Sequence, residues 1–331
     1  MNSAAIDVVG IGNAIVDVIA RSEEPFLAAE GLAKGAMTLI DADRAEGLYR
    51  KMGPGIESSG GSAGNTMAGI ASLGGTGGYI GKVRDDLLGK VFRHDITAIG
   101  VRFDTLAATE GPGTARCLIV VTPDGQRTMA TYLGACVELG PEDIDEQLIG
   151  SAHVTYLEGY LFDPPRAQQA FRRAAATAHG AGRQVALSLS DPFCVGRHRE
   201  AFRELVAGDV DILFANEAEI CSLYETDSFD AAAALVRGHV AVAALTRSEK
   251  GSVVIGGGEA HAVPAAPVGH VVDTTGAGDL YAAGFLYGLT RGLPLATCGA
   301  IGSLCAAEII SHVGARPETA LSGLVKAAGL I

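Results

Sequence analysis

The residue best placed for chemistry is Asp279, which closes the string Asp273-Thr274-Thr275-Gly276-Ala277-Gly278-Asp279 just before the helix-like run Leu280 to Leu286. Gly276 and Gly278 let backbone N–H groups approach an anion closely. The helix that follows adds its orphan first-turn N–H groups and the positive end of its dipole. Such a junction is an anion site. A carboxylate there would repel the anion, so Asp279 reads as a reagent. It can take a proton from a hydroxyl while the amides of Gly276, Ala277 and Gly278 hold charge on a transferred phosphoryl group. The alternative is a Gly-rich turn in which Asp279 only caps the helix, a role Asp fills readily.

The whole string resembles the C-terminal signature of the ribokinase-like family of carbohydrate and nucleoside kinases. Further segments resemble that family in its own order, from Val9 to about Pro317. Gly10 to Asp17 is similar to the family's first strand and turn. Asp17 then corresponds to the acid that accepts hydrogen bonds from two vicinal hydroxyls, for which a carboxylate has two acceptor oxygens. Gly60-Gly61-Ser62-Ala63-Gly64-Asn65 resembles the N-terminal glycine-rich signature, which implies that Gly60, Gly61 and Asn65 contact substrate hydroxyls.

Asn216-Glu217-Ala218-Glu219 resembles the family's N-x-x-E element. There Asn216 would lie near the phosphates of ATP, and Glu219 would organise water around Mg²⁺, an ion that usually keeps several waters. Thr246-Arg247-Ser248-Glu249-Lys250-Gly251 resembles the T-x-G-x-x-G nucleotide loop, with Ser248 where Gly is usual. The resemblance makes Thr246, Arg247 and Gly251 cofactor-binding, with Arg247 or Lys250 reaching a phosphate. Asp273, Thr275 and the stretch Ile309 to Gly314 match places that hold a monovalent cation such as K⁺ in relatives. Each segment also has a plainer reading: an exposed turn Asp, a loop that starts a helix, acids favoured in a helix first turn, a solvated charged turn.

The segment around Ser62 also fits G-x-S-x-G, the nucleophile elbow of α/β-hydrolases, but that motif needs a buried strand directly before it. Met52 to Ser59 reads as loop. No G-x-G-x-x-G and no G-x-x-x-x-G-K-[ST] occurs, which disfavours a dinucleotide oxidoreductase and a P-loop ATPase. A non-catalytic sugar- or nucleoside-binding protein of the same fold is the remaining alternative, and Asp279 is the group a binder would not require.

These residues need a scaffold, and strand-like runs alternate with helix-like segments for most of the chain. Strands are expected at Ile6 to Gly12, Gly78 to Gly81, Val154 to Leu157, Val185 to Leu189, Ile212 to Ala215, Val240 to Leu245 and Val253 to Ile255. Helices are expected at Asn65 to Leu73, Asp85 to Ile99, Arg166 to His179, Arg199 to Val206 and Phe229 to Val236, and the chain is helical only after position 276. Apolar strands alternating with helices imply a mostly parallel sheet covered on both faces. Ligands then lie beyond the carboxyl ends of its strands. Ile15 to Ala20, Ala36 to Ile40, Arg116 to Val121 and Thr128 to Leu133 break the rhythm as strands without an intervening helix. They would form a small sheet, a lid built from the discontinuous segments 15–40 and 113–134 of a single domain spanning 1–331. The resemblance implies the same α/β fold: a three-layer α/β/α sandwich with a small β-sheet lid.

Composition bounds the function. The 331 residues are 48% apolar and 19% charged, enough for a large core. The net charge of −13, with no basic run, argues against a nucleic-acid partner but not against a nucleotide. Six Cys form no C-x-x-C pair and read as buried thiols of a reducing compartment. Met1 to Asp7 show no signal-peptide pattern and no apolar run reaches about 18 residues, so a cytoplasmic protein without membrane contact is expected.

The lid region, Gly113 to Cys117 and Thr122 to Ala135, looks most like bacterial members called adenosine kinases, as does Tyr156 to Phe162. Met37, Leu39 and Met129 could cover a flat purine, although packing between lid and core wants the same residues. The expected reaction is ATP-dependent phosphorylation of the 5′-hydroxyl of a ribonucleoside, adenosine to AMP, as in purine salvage. The alternative is a sugar kinase of the ribokinase, fructokinase or 2-keto-3-deoxygluconate kinase type. A monomer or a homodimer is compatible with the chain.

Overall fold

The computed structural model describes residues 5–331, so most of the stretch Met1 to Asp7, read above for a signal peptide, lies outside the described residues. An eight-stranded sheet forms the centre. Across it run Glu259–Val263, Ser252–Gly256, Val242–Thr246, Ile212–Asn216, Gln184–Ser188, Ala152–Glu158, Ile6–Ile11 and Gly77–Ile80. The strands are parallel except Ser252–Gly256 and Glu259–Val263, which pair antiparallel at one edge. Alternation along the first strand divides two cores. Val8 packs with Met67, Tyr79 and Phe285 on one face. Val9 and Ile11 pack with Phe162, Phe171 and Phe202 on the other. Successive strand side chains point to opposite faces, so both faces bury apolar surface and both take helices.

A second sheet of five strands runs Met37–Leu39, Arg127–Tyr132, Ala115–Val121, Ile15–Arg21, Gly55–Ser59. Its last strand corrects the reading of Met52 to Ser59 as loop. Gly55–Ser59 pairs antiparallel with Ile15–Arg21 at the sheet edge, and its burial is slight until Ser59. Backbone pairing holds these Gly, Glu and Ser residues where no apolar pattern announces a strand. A helix, Glu24–Ala29, also interrupts the first two small-sheet strands, contrary to expectation.

The helix after the anion junction, Ala277–Thr290, starts where expected. It packs against Leu295–Ile309 so closely that a Cβ on Gly284 would lie 2.8 Å from the Gly302 backbone. That backbone-to-backbone seating fixes the height and direction of the helix that carries Asp279.

Candidate active site

The carboxyl ends of the parallel strands share one rim. Glu158 is in register with Ser188, and Asn216 with Thr246. The first strand stops at Ile11, so Gly12 and Asn13 lie at the same rim. A Cβ on Gly12 would fall 2.2 Å from Glu158 Oε2, so only glycine lets the buried Glu158 carboxylate sit there.

Asp279 is the third residue of its helix, after the Gly276 cap with φ +80°, a left-handed turn suited to glycine. Ser62 Oγ donates to Asp279 Oδ1 at 2.6 Å, and Asn65 Nδ2 donates to Oδ2 at 3.0 Å. The glycine-rich loop of the first half and the signature of the second therefore meet at one carboxylate, across more than 200 residues of sequence. Burial raises the Asp279 pKa above its ordinary value, opposed by the Ser62 and Asn65 hydrogen bonds and by the Arg316 charge. The Ala277 amide donates to Thr274 O at 3.2 Å, so this one of the three expected anion-holding amides has an acceptor already. Gly278 and Asp279 lie within the first turn, where amides lack intrahelical acceptors.

Asp17 lies on the small sheet over this site. A Cβ on Gly60 would be 2.4 Å from its Cγ, so Gly60 is the seat of the carboxylate. Gly61 has φ +83°, and a Cβ there would approach Asn13 O to 2.1 Å. Burial lifts Asp17 to about 6, with Arg127 and Arg316 pulling it down and Asp279 pushing it up. Asp17 and Asp279 thus feel each other. Register puts Asp17 with Cys117 and Thr131, and Ile19 with Ile119 and Met129, on one face of the small sheet. Met37 is in register with Met129 and shares that face. Ile119 and Cys117 are buried there beside Val313 of the large body. Met37 and Leu39, by contrast, are about half exposed, at 47% and 53%.

Glu219 forms a capping box with Asn216: its oxygens accept from Asn216 N at 2.9 Å and Asn216 Nδ2 at 2.6 Å. The plainer reading of this segment as a helix start is therefore correct in geometry. Burial pushes Glu219 up to about 7, and the charges of Asp191 and Asp279 add to it. Mutually repelling carboxylates beside an anion site fit a divalent cation. Among the described residues no cluster of His, Cys, Asp and Glu could ligate one directly. The donor set suits an ion carried in by phosphates and met by Glu219 through water.

The nucleotide-loop expectation is corrected in part. Arg247 does not present a free guanidinium: it pairs with Glu217 at 3.0 and 3.2 Å and stacks over Phe229 at 4.0 Å. Lys250 lies 3.9 Å from the same Glu217. Ser248 has φ +52°, so it keeps the left-handed backbone that a glycine would supply at lower cost. Gly251, at φ +84°, sits against Val263 O and closes the loop on the edge strand.

At the positions expected for a monovalent cation, the Asp273 side chain is engaged by N–H donors. Asp273 Oδ1 accepts from Thr275 N at 3.0 Å, and Oδ2 accepts from Gly314 N at 3.1 Å and from the Arg127 guanidinium at 2.5 Å. Ile309 is fully buried in the core, and the next carbonyl, of Ile310, takes the amides of Val272 and Asp273 at 2.8 and 3.4 Å. Despite burial, the Thr275 amide and the Arg127 charge hold Asp273 below its ordinary pKa.

Residues 7–320 match the pfkB family of carbohydrate kinases. The chain belongs to this family. A crystal structure of adenosine kinase from Sinorhizobium meliloti is 55% identical, covering 98% of this chain and 100% of that one, with a TM-score of 0.91. A probable sugar kinase from Rhizobium etli is 52% identical over 99% and 100% of the chains, with a TM-score of 0.92. An ATP-dependent ribose-1-phosphate kinase from Halopiger xanaduensis is 34% identical over 70% of this chain and 73% of its own length. As a pfkB kinase the protein moves a phosphoryl group from ATP to an alcohol and uses a divalent metal. Among the described residues no helix is long and apolar enough to cross a membrane.

Three residues of this pfkB site were given no role from the sequence. Arg316 donates to Ser59 O at 2.6 and 3.0 Å, to Ser59 Oγ at 2.9 Å and to Gly64 O at 2.7 Å, clasping both ends of the glycine-rich loop. Its charge acts on both Asp17 and Asp279. Glu158 accepts from Asn13 N at 3.3 Å, Asn13 Nδ2 at 2.7 Å and Ala63 N at 2.8 Å, tying the first turn to the same loop. Arg127 reaches Asp273 from the small sheet. A lone Arg or Glu in a loop or strand end has no periodicity to betray it. Of the three, only Glu158 stands so close to a glycine, Gly12, that a Cβ there would clash with it.

Proposed function

We propose that the chain phosphorylates the 5′-hydroxyl of adenosine with MgATP, giving AMP and ADP. The observation that carries the reading is the pair of hydrogen bonds that Ser62 and Asn65, in the first turn of the helix Ser62–Ser72, make to Asp279. They support an acceptor alcohol that takes the place of the Ser62 hydroxyl against the carboxylate oxygen.

Asp17 and Asn65 bind the ribose diol and Gly60–Gly61 lie beside it. The small sheet acts as the lid. Its inner face joins Asp17 to Met37, Ile119 and Met129, a polar anchor beside apolar cover, which suits a ribose carrying a flat base better than a bare sugar. Closure excludes water and limits hydrolysis of ATP. Asp279 takes the hydroxyl proton as that oxygen attacks the γ-phosphorus. The Gly278 and Asp279 amides, with the helix dipole, stabilise charge on the phosphoryl group. Asn216, Thr246 and Gly251 border the nucleotide, and Glu219 would meet Mg²⁺ through water, the ion supplying charge neutralisation. The α/β-hydrolase reading has no support: the strand before Ser62 is an exposed sheet edge, and Ser62 donates to a carboxylate.

The test is ADP release on a panel of adenosine, ribose 1-phosphate, ribose, fructose and 2-keto-3-deoxygluconate. Adenosine is expected to give the highest kcat/KM. No response to adenosine with a strong response to a free sugar overturns the acceptor assignment.

A further inference from the structure

We infer that Asp95, on the helix Leu87–Ala98, is a positioning residue for phosphoryl transfer: it pins Ser59, where the lid strand enters the glycine-rich loop, to the large body, and so holds that loop in place beneath a moving lid. The inference rests on the kinase reading above. Ser59 ends the strand Gly55–Ser59 and is 1% exposed, although Gly55 to Glu57 before it are exposed. Its N–H and its hydroxyl both donate to Asp95 Oδ2, at 2.7 and 2.6 Å. Its carbonyl accepts from Arg316 Nε and Nη2, and Nη2 also donates to Ser59 Oγ. Every polar group of this one residue is thus held by a charged side chain from outside the lid. The carboxylate and the guanidinium face each other across a single hydroxyl, which gives its proton to the acid and accepts one N–H from the arginine.

Asp95 stands on a rigid base. Phe92, one turn before it, packs 5.7 Å from Tyr79 of the central sheet and 5.4 Å from Phe103, ring centre to ring centre. The helix therefore belongs to the large body. The strand Gly55–Ser59, by contrast, is paired along its length with Ile15–Arg21 of the small sheet. Motion of that sheet would drag Gly60 and Gly61 with it unless the chain were fixed at Ser59. Charge-assisted hydrogen bonds are the strong ones, and two charged groups supply them here. Arg316 Nη1 reaches on to Gly64 O at 2.7 Å, so one guanidinium brackets the stretch from Gly60 to Ala63. Asp95 also helps to keep that guanidinium charged: burial pushes the Arg316 pKa down, and the charges of Asp17 and Asp95 oppose it. The nucleotide side, at Asn216 and Thr246, lies on other strands, so the clamp bears on the acceptor.

The experiment measures the KM for adenosine and for ATP, and amide hydrogen exchange of the ligand-free protein, in Asp95→Ala, Asp95→Asn and Ser59→Ala. Asp95→Ala is expected to raise the adenosine KM at least about 10-fold with the ATP KM within about twofold, the size of a lost charge-assisted hydrogen bond that displaces a binding loop. Exchange is expected to rise at least about 10-fold in peptides from Gly55 to Asn65 and to stay unchanged in the parallel strands, as for a local opening. Asp95→Asn keeps an oxygen that can take both Ser59 donors, and is expected to return both readouts to within about threefold of wild type. Where Asp95→Ala does not fold, Ser59→Ala, which cuts the hydroxyl link alone, is expected to give the same selective KM rise in smaller measure. An adenosine KM that holds in both alanine variants overturns the inference. Both KM values rising together, with exchange raised throughout and no rescue by Asp95→Asn, overturns it too, because that is the mark of general destabilisation. If a free sugar proves to be the acceptor, its KM takes the place of adenosine's. Absence of ADP release on every acceptor strikes the kinase reading instead, and the exchange arm still decides the role of Asp95.

Discussion

At the scale of single residues, the site is a set of carboxylates kept close together by neutral donors. Asp279 has Ser62 and Asn65, Glu158 has Asn13 and the Ala63 amide, Glu219 has Asn216. If Asp279 is the base, Asp279→Asn lowers kcat by at least about 10²-fold while adenosine and ATP still bind, as equilibrium titration would show. A near-wild-type kcat would refute the assignment. Deprotonated Asp279 is the active form and burial raises its pKa, so kcat should fall on the acid side at a pH above the ordinary Asp range. Ser62 lowers that pKa, so Ser62→Ala should move the acid limb of the kcat profile to higher pH; a limb that stays or moves down contradicts the contact. Asp279 was legible in the sequence because seven residues in a row carry its chemistry. Its partners Ser62 and Asn65 were legible only as a separate glycine-rich loop, since nothing local links positions 62 and 279.

At the scale of elements, backbone conformation decides more than side-chain pattern. Ser248 holds φ +52°, where an L-residue costs about 1 kcal/mol or more and Gly costs little. Ser248→Gly should therefore leave stability unchanged or raise it by up to about 1 kcal/mol, measured by urea unfolding, although glycine usually loosens a chain. Gly61→Ala should do the opposite, because φ +83° and an oxygen 2.1 Å from the new Cβ both oppose it. A loss of more than about 2 kcal/mol, or of acceptor affinity at least 10-fold, is expected, in the range for strained backbone and overpacking. The buried parallel strands and the helix Ala277–Thr290 were readable from apolar runs. The strand Glu259–Val263 was not, because it is an edge with exposed Glu259 and Ala260, and Gly55–Ser59 was not for the same reason. Edges are specified by the neighbour they pair with, and the sequence window does not contain that neighbour.

At the scale of the whole molecule, the protein buries several carboxyl groups whose charged forms are disfavoured chiefly by loss of water. Burial pushes Asp17 up to about 6 and Glu158 and Glu219 up to about 7, all above the values near 4 of an unfolded chain. A group whose folded pKa is raised contributes stability below its unfolded pKa and loses it as pH rises through the folded one. The thermal midpoint without ligand should thus climb as pH is lowered from about 8 to about 5.5, by a few degrees, since each kcal/mol is worth about 2–4 °C at 150–250 residues and less in a longer chain. A flat or falling midpoint over that window would remove the carboxylate cluster as its cause. The order of strands has a consequence for synthesis as well. Ile6–Ile11 lies between Gly77–Ile80 and Ala152–Glu158, so one flank of this central strand finds its partner early and the other only after some 140 further residues have been made. On the ribosome the first strand therefore waits with a bare hydrogen-bonding edge, and a nascent chain halted before residue 152 should be a sticky, chaperone-dependent species even though half of the protein already exists.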